Sequence, residues 1–427
     1  LTENKICLVP KADLETFIHY GEHIIDKDIA VQEGKQKQTD KNEKIPDSIK
    51  QHADTIDQAL KNIKICDPAV GSGAFPVGIM NEIVKLRKLL TPFIEKESAV
   101  ERSAYCFKSN AIQNSIYGVD IDAGAVEIAK LRLWLSMVVD EERINTIEPL
   151  PNLEYKIVQG NSLINIPDGT VINDVLATEI ENLTTAYFHI TDKEKKQEQK
   201  QIIDAKIKEQ LQFVSEMVGY EIDFDFKLYF HEVWNEKGGF DIVIGNPPYD
   251  VYEGKKKNEI PTIKRINIYD KAKTGKLNAY KLFIAKSITL AKQNGIFCQI
   301  FQNSFLGDNS AKVLRKHFLT NQIILRIDSF PERDNINKRV FKSAKMSVCI
   351  LFAQNMKVNN FNFDLVLWKE RWMQNNSFVN FSNVELLEYD KSTNVIPSIS
   401  SSEKTVLNKL SKYPRFGNYI TCYQGEI

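Results

Sequence analysis

Four consecutive residues, Asn246-Pro247-Pro248-Tyr249, combine a side-chain amide, two prolines and an aromatic ring. They follow the apolar run Phe240, Ile242, Val243 and Ile244, punctuated by Gly245, which reads as a short buried strand stopping at a turn. Neither proline has a backbone N–H, and Pro248 pushes Pro247 towards an extended conformation. The turn therefore presents carbonyl oxygens and one Asn amide, with the Tyr249 ring behind them. Acceptors beside a stacking face suit a planar ring that carries an amino group. A bare Pro-Pro pair reads equally well as strand-end punctuation, so the rest of the chain must decide.

A second group of residues lies upstream. The strand-like Ile63-Lys64-Ile65-Cys66 leads into Asp67-Pro68-Ala69-Val70-Gly71-Ser72-Gly73-Ala74-Phe75-Pro76, and Ile79, Ile83, Leu86 and Leu90 then recur at helical spacing. Strand, glycine turn and helix open a Rossmann-like unit. The glycines let the backbone approach a ligand, and a proline is tolerated in a first helical turn. Pro76 stands where a dinucleotide fingerprint has its third glycine. Asp67 would repel a pyrophosphate and favour a cation such as an α-ammonium group, which points to S-adenosyl-L-methionine rather than a dinucleotide. The strand Ser115–Val119 ends at Asp120, the position where such a sheet bonds ribose hydroxyls, while Asp122 is placed to cap the next helix. After the strand Tyr155–Val158, Asn161 offers an acceptor and a donor to an adenine edge.

The elements that position these residues form an α/β pattern in 427 residues, enough for two or three domains. Hydrophobic residues make up 43% and charged residues 26%, and no apolar run approaches the ~18 residues of a membrane span. The 56 basic and 56 acidic residues balance, which leaves room for a cationic cleft on a neutral molecule. Six scattered cysteines without a Cys-x-x-Cys pair indicate neither a zinc ribbon nor a disulfide framework, and suit a cytoplasmic protein. His19 and His23 stand four apart, but no further ligand pattern follows, so they read as surface or core histidines. Gln32 to Lys44 reads as a solvated loop. Ile203, Ile207, Leu211 and Val214 give one helical stripe after the charge run Lys193–Lys200. The lysine-rich stretch Lys255–Lys276 is a phosphate-contacting loop or a solvated charge run. Two strands without an intervening helix, Ile323–Ile327 and Ser347–Phe352, suggest an antiparallel hairpin at the sheet edge. From about Asn375 the chain is polar, with Pro397–Ser402 as a linker.

Asp67-Pro-Ala-Val-Gly-Ser-Gly-Ala-Phe75, Tyr117-Gly-Val-Asp-Ile-Asp122, Gly160-Asn-Ser-Leu163 and Asn246-Pro-Pro-Tyr249 occur here in that order. By this ordered set the chain resembles a γ-class N6-adenine DNA methyltransferase. More closely, it resembles the methyltransferase part of type IIG, Eco57I-like restriction-modification enzymes. The motifs span roughly residues 60–355. The resemblance implies a Rossmann-like S-adenosyl-L-methionine-dependent methyltransferase sheet with a helical insertion. The residue pattern itself reads as an N-terminal helical segment over 1–60 and a helical insertion at about 170–237, and the resemblance implies a catalytic domain over 61–370 and, over 371–427, a linker and the beginning of a DNA target-recognition domain. By analogy, Asp67, Ala69, Gly71 and Gly73 frame the methionine end of the cofactor, Asp120 its ribose and Asn161 its adenine. Asn246, Pro247, Pro248 and Tyr249 would be catalytic, without a metal. Phe341, in Arg339-Val340-Phe341-Lys342, matches an aromatic that packs on the far face of the target base, or else is a core residue.

The same resemblance implies double-stranded DNA as partner, a flipped-out adenine as substrate and no membrane association. It also implies a nuclease domain before residue 1 and a recognition domain after residue 427. A cofactor-contacting segment that the family carries upstream of the first strand is not recognisable here. Two rivals remain. A protein-glutamine methyltransferase uses the same tetrapeptide on a side-chain amide but is more compact, and a DNA-binding specificity subunit could retain the fold without catalysis.

Overall fold

The computed structural model describes residues 2, 3, 6, 7, 9–32, 44–94, 101–139, 153–188, 190, 192–371, 376–414 and 419. The interior of the expected loop between Gln32 and Lys44 lies outside these residues, as do Cys422 and the last residues of the chain. Two compact units divide the chain: residues 1–160 with 184–196, and residues 161–183 with 197–427.

In the first unit, three parallel strands, β1 (Ile65–Asp67), β2 (Ile116–Asp120) and β3 (Ile157–Gln159), lie with β2 in the middle. All three residues of β1 are buried, which its Ile-Cys start permits and its Asp67 end must justify. The helices Ala74–Leu90, Ala104–Asn114 and Ala123–Val138 contribute Met80, Phe107, Ile112, Val126 and Leu133 to a core that includes Ile116 and Ile157. A smaller core around Phe17, Ile24, Ile49, Ile56 and Leu90 holds the helix Lys11–Gln32 to this unit. Beside it, Asp57 is buried between Arg87 and Arg102, each 3.0 Å from its carboxylate.

The second unit contains β4 (Phe240–Gly245), β5 (Ala291–Gln302), β6 (Ile323–Phe330), β7 (Val348–Gln354), β8 (Asn362–Trp368) and β9 (Asn376–Ser382). Their spatial order is β4-β5-β7-β6-β8-β9. β4 pairs with β5 and β6 with β8 in parallel, whereas β7 is antiparallel to both its neighbours and β9 to β8. β6 and β7 are thus antiparallel as expected, but they do not form an edge. β7 sits inside, paired on both sides, with Cys349, Leu351 and Ala353 buried on one face and Val348 on the other. The edge is β9, whose Asn376 and Asn380 are exposed.

After the tetrapeptide turn come the short helical segments Gly254–Glu259, Ile260–Arg265 and Asn267–Ala272, and then the helix Ala279–Leu290, buried at nearly every position, leads into β5. In the insertion, the helix Lys193–Val218 buries Ile203, Ile207, Leu211 and Val214, the stripe that its spacing predicts, together with Gln210. Its partner helix is Asp174–Tyr187, and Lys206 bonds Glu179 at 2.8 Å. Pro397–Ser402 is not a free linker. Ser400 and Glu403 form a capping box on the helix Ser401–Leu410, Ile396 is buried, and Ser398 Oγ lies 2.8 Å from Ser329 Oγ on β6.

Candidate active site

The first unit holds the glycine turn. Asp67 ends β1 with 2% exposure, and its Oδ1 accepts the Ala69 N–H at 3.0 Å. Burial pushes its carboxyl up to about 7, opposed by the Ala69 N–H and reinforced by the Asp120 charge. A carboxylate held this way gains from any cation brought beside it. Asp120, at the end of β2, ties the turn down: its Oδ2 accepts the Gly71 N–H at 2.8 Å and its Oδ1 the Asp122 N–H at 3.0 Å. Asp122 caps the helix Ala123–Val138 by accepting from Gly124 and Ala125.

Two of the glycines have identifiable reasons. Gly73 has φ +80°, and a Cβ there would meet Ala129 at 3.0 Å, so the turn packs against the helix Ala123–Val138 only without a side chain. Gly71 has φ +51°, yet a Cβ there would meet nothing within 4 Å. It borders open space beside the Asp120 carboxylate. A positively charged, hydroxyl-rich ligand such as S-adenosyl-L-methionine fits that donor and acceptor set.

The second unit holds Asn161, the tetrapeptide and Phe341. Asn161 Oδ1 accepts the Leu163 N–H at 3.0 Å, and its own backbone N–H donates to Asp223 at 3.2 Å, so its acceptor already shapes a turn. The tetrapeptide follows β4 directly. Pro247 is buried, Pro248 exposed, and Asn246 and Tyr249 half-buried. The Tyr249 hydroxyl donates to Asn246 Oδ1 at 2.6 Å and lies 3.3 Å from the Ile300 carbonyl of β5. Burial raises this phenol well above its ordinary value, which keeps it a neutral donor. The turn is pinned behind the site, where the Asp250 carbonyl accepts the Ala279 N–H at 2.8 Å. Phe341, in the loop between β6 and β7, is half-buried against Val348, Val366 and Trp368, and its ring centroid stands 6.4 Å from that of Tyr249 at 55°.

Two participants escape a reading of the sequence. Gly118, inside β2, is required because a Cβ there would meet Val70 Cγ2 at 2.7 Å, while the Val70 N–H donates to the Val119 carbonyl at 3.0 Å. The glycine before a strand-end Asp is the available signal. The hydroxyl of Tyr249 is the other, since the sequence shows a ring to stack on but not a bond to Asn246. Among the described residues, no group of three or more His, Cys, Asp or Glu could hold a metal ion.

A parallel sheet whose first strand ends in a carboxylate and glycine turn, with a second carboxylate clamping that turn, defines an α/β methyltransferase of the S-adenosyl-L-methionine-dependent class. The family model of the Eco57I restriction-modification methylase matches residues 114–341, and the chain belongs to that family. In an alignment of 412 residues it is 25% identical to a Methanocaldococcus jannaschii protein named for a type II restriction enzyme and methyltransferase, covering 78% of this chain and 33% of that one. It is 25% identical to the type II restriction enzyme and methyltransferase RM.Eco57I of Escherichia coli, over 74% of this chain and 27% of that one. Among solved structures, a nuclease-deletion mutant of the type ISP restriction-modification enzyme LlaGI, in complex with a DNA substrate mimic, aligns at 16% identity and a TM-score of 0.44, over 75% of this chain and 23% of that one. The chain thus spans a third or less of the length of these curated relatives. S-adenosyl-L-methionine is the cofactor of this family of methylases.

Proposed function

We propose that this chain is the methyltransferase part of a site-specific DNA enzyme that methylates adenine at N6, on a base swung out of the duplex. The arrangement around Asn246 carries this reading: an amide oxygen oriented by the Tyr249 hydroxyl, beside a pair of rings 6.4 Å apart. Two rings enclosing a base stand about 7 Å apart, twice the ~3.4 Å spacing of stacked bases. The two rings are tilted by 55°, so Phe341 must turn by about that angle for its face to lie parallel to that of Tyr249 across a base.

The exocyclic amine of adenine is a poor nucleophile because its lone pair is delocalised into the ring. Asn246 Oδ1 has two lone pairs, one for the Tyr249 hydroxyl and one for an N6 proton, and the Pro247 carbonyl accepts the other proton. Both acceptors favour a nitrogen turning tetrahedral and positive, and losing one such group typically costs about 3 kcal/mol. Bound S-adenosyl-L-methionine supplies the electrophilic sulfonium methyl. Asp67, Ala69, Gly71 and Gly73 would flank its methionine end, Asp120 its ribose and Asn161 its adenine. Extruding the base costs about a few kcal/mol, and stacking on Tyr249, worth ~1–3 kcal/mol, offsets much of that.

Relatives named for both restriction and methylation support a nuclease and a recognition domain in the complete protein, and a role in restriction-modification or phage defence. The thiols of Cys106, Cys298 and Cys349 stand outside any disulfide, which fits action on DNA in a reducing cytoplasm. Tritiated cofactor with duplex DNA tests the reading. Label recovered in N6-methyladenine is the expected result, and label in cytosine or in protein glutamine would contradict it.

A further inference from the structure

Residues 331–347, between β6 and β7, form the loop that carries Phe341. Arg333, Lys338, Arg339, Lys342 and Lys345 face only two carboxylates within it, Glu332 and Asp334. Both carboxylates are spent inside the loop. Glu332 accepts the N–H groups of Asp334 at 2.8 Å and Asn335 at 3.0 Å, and Asp334 pairs with Lys345 at 2.9 Å. Outside the loop, Glu370 lies 3.3 Å from Lys338. The Asn335 carbonyl accepts the N–H groups of Lys338 at 3.0 Å and Arg339 at 2.9 Å, and the Asn335 side chain accepts that of Asn337 at 2.9 Å. Arg339 bonds the carbonyls of Arg333 and Lys342. Inside this bonded turn stands Ile336, 52% exposed.

A single exposed apolar residue is ordinary on a protein surface. Ile336 differs in its setting. Its chain neighbours Asn335 and Asn337 are held by hydrogen bonds, five cations lie in the same seventeen-residue loop, and Phe341 of that loop lies against Tyr249. Resting on the adenine-extrusion reading, we propose that Ile336 enters the duplex and fills the space the target adenine leaves, while the loop's cations hold the neighbouring phosphates. An extruded base leaves a gap in the stack and a partner base without its mate, and apolar wedges presented from cationic surfaces are the side chains that occupy such gaps. A pre-ordered turn carries the wedge without further ordering cost on binding.

The test uses the full chain and a duplex bearing the sequence it methylates, with 2-aminopurine at the target position. One duplex is fully paired, and a second has an abasic residue opposite the target. The parent should raise 2-aminopurine fluorescence on both. Ile336→Gly should bind the paired duplex roughly tenfold more weakly and lose most of the fluorescence rise, because the unfilled gap lets the base return. On the abasic duplex, where no pair opposes extrusion, it should match the parent. Ile336→Met keeps an apolar wedge and should behave as the parent on both, which separates insertion from damage to the loop. Equal behaviour of Ile336→Gly and parent on the paired duplex, or equal weakening on both duplexes, would overturn the assignment. A parent that neither methylates the same duplex with adenine at the target nor raises the fluorescence of the 2-aminopurine duplex would instead overturn the adenine-flipping reading beneath it.

Discussion

The hydroxyl of Tyr249 and the amide of Asn246 work as one unit, joined at 2.6 Å. Tyr249→Phe keeps the stacking ring and removes the bond that orients the amide. On the proposed mechanism it should lower kcat roughly ten- to a hundredfold while leaving DNA affinity near the parent's, as losing one orienting hydrogen bond implies. Tyr249→Ala should lose affinity as well, so steady-state kinetics and a binding assay separate the two roles. Asp67 makes a second prediction at this scale. Its carboxyl is raised from 3.8 to about 7, so in the cofactor-free protein the folded state binds the proton more tightly than the unfolded one. Stability of that form therefore falls as pH rises through this window. On the proposed assignment, in which Asp67 holds the cofactor's ammonium group, that cation reverses the preference, so cofactor affinity should climb over the same window. Thermal shifts with and without S-adenosyl-L-methionine, at roughly pH 5 to 9, should show both slopes in the parent and neither in Asp67→Asn.

At the scale of elements, the glycine turn, the strands that flank it and the helix cap at Asp122 were legible because each has a local cause. Glycine supplies positive φ, an Asp after a strand caps a helix, and period-3.6 residues mark the stripe of the insertion. The Ser400–Glu403 capping box is equally local, and its Ser-x-x-Glu spacing is a helix signal that outweighs the linker-like composition around it. What could not be read was strand order. β7 lies between β5 and β6 because of how apolar faces distribute across the sheet, a tertiary choice that leaves little trace in a single strand. Gly118 is the element-scale test. Gly118→Ala places a Cβ 2.7 Å from Val70 and should destabilise the protein by about 1–3 kcal/mol in urea unfolding, with weaker cofactor binding as the turn shifts. Unchanged stability would mean that Val70 moves freely and does not seat the turn on β2.

For the whole molecule, zero net charge conceals local asymmetry. The loop between β6 and β7 and the segment Lys255–Lys276 concentrate cations in the unit that holds the tetrapeptide, so DNA affinity should fall steeply with salt. Replacing three or four of these lysines together should flatten that slope by about one unit for each phosphate no longer neutralised, whatever the DNA sequence. The candidate site was legible as two sets of residues, and the bond between Asn246 and Tyr249 was not, because it depends on how the turn folds back on itself. The central claim, that Asn246 activates the N6 amine of adenine, is tested most directly by single-turnover methylation of cognate duplex by the full chain carrying Asn246→Ala. Loss of N6-methyladenine formation by roughly a hundredfold or more, with DNA and cofactor affinities near the parent's, is the predicted result. Methylation at the parent rate would contradict it.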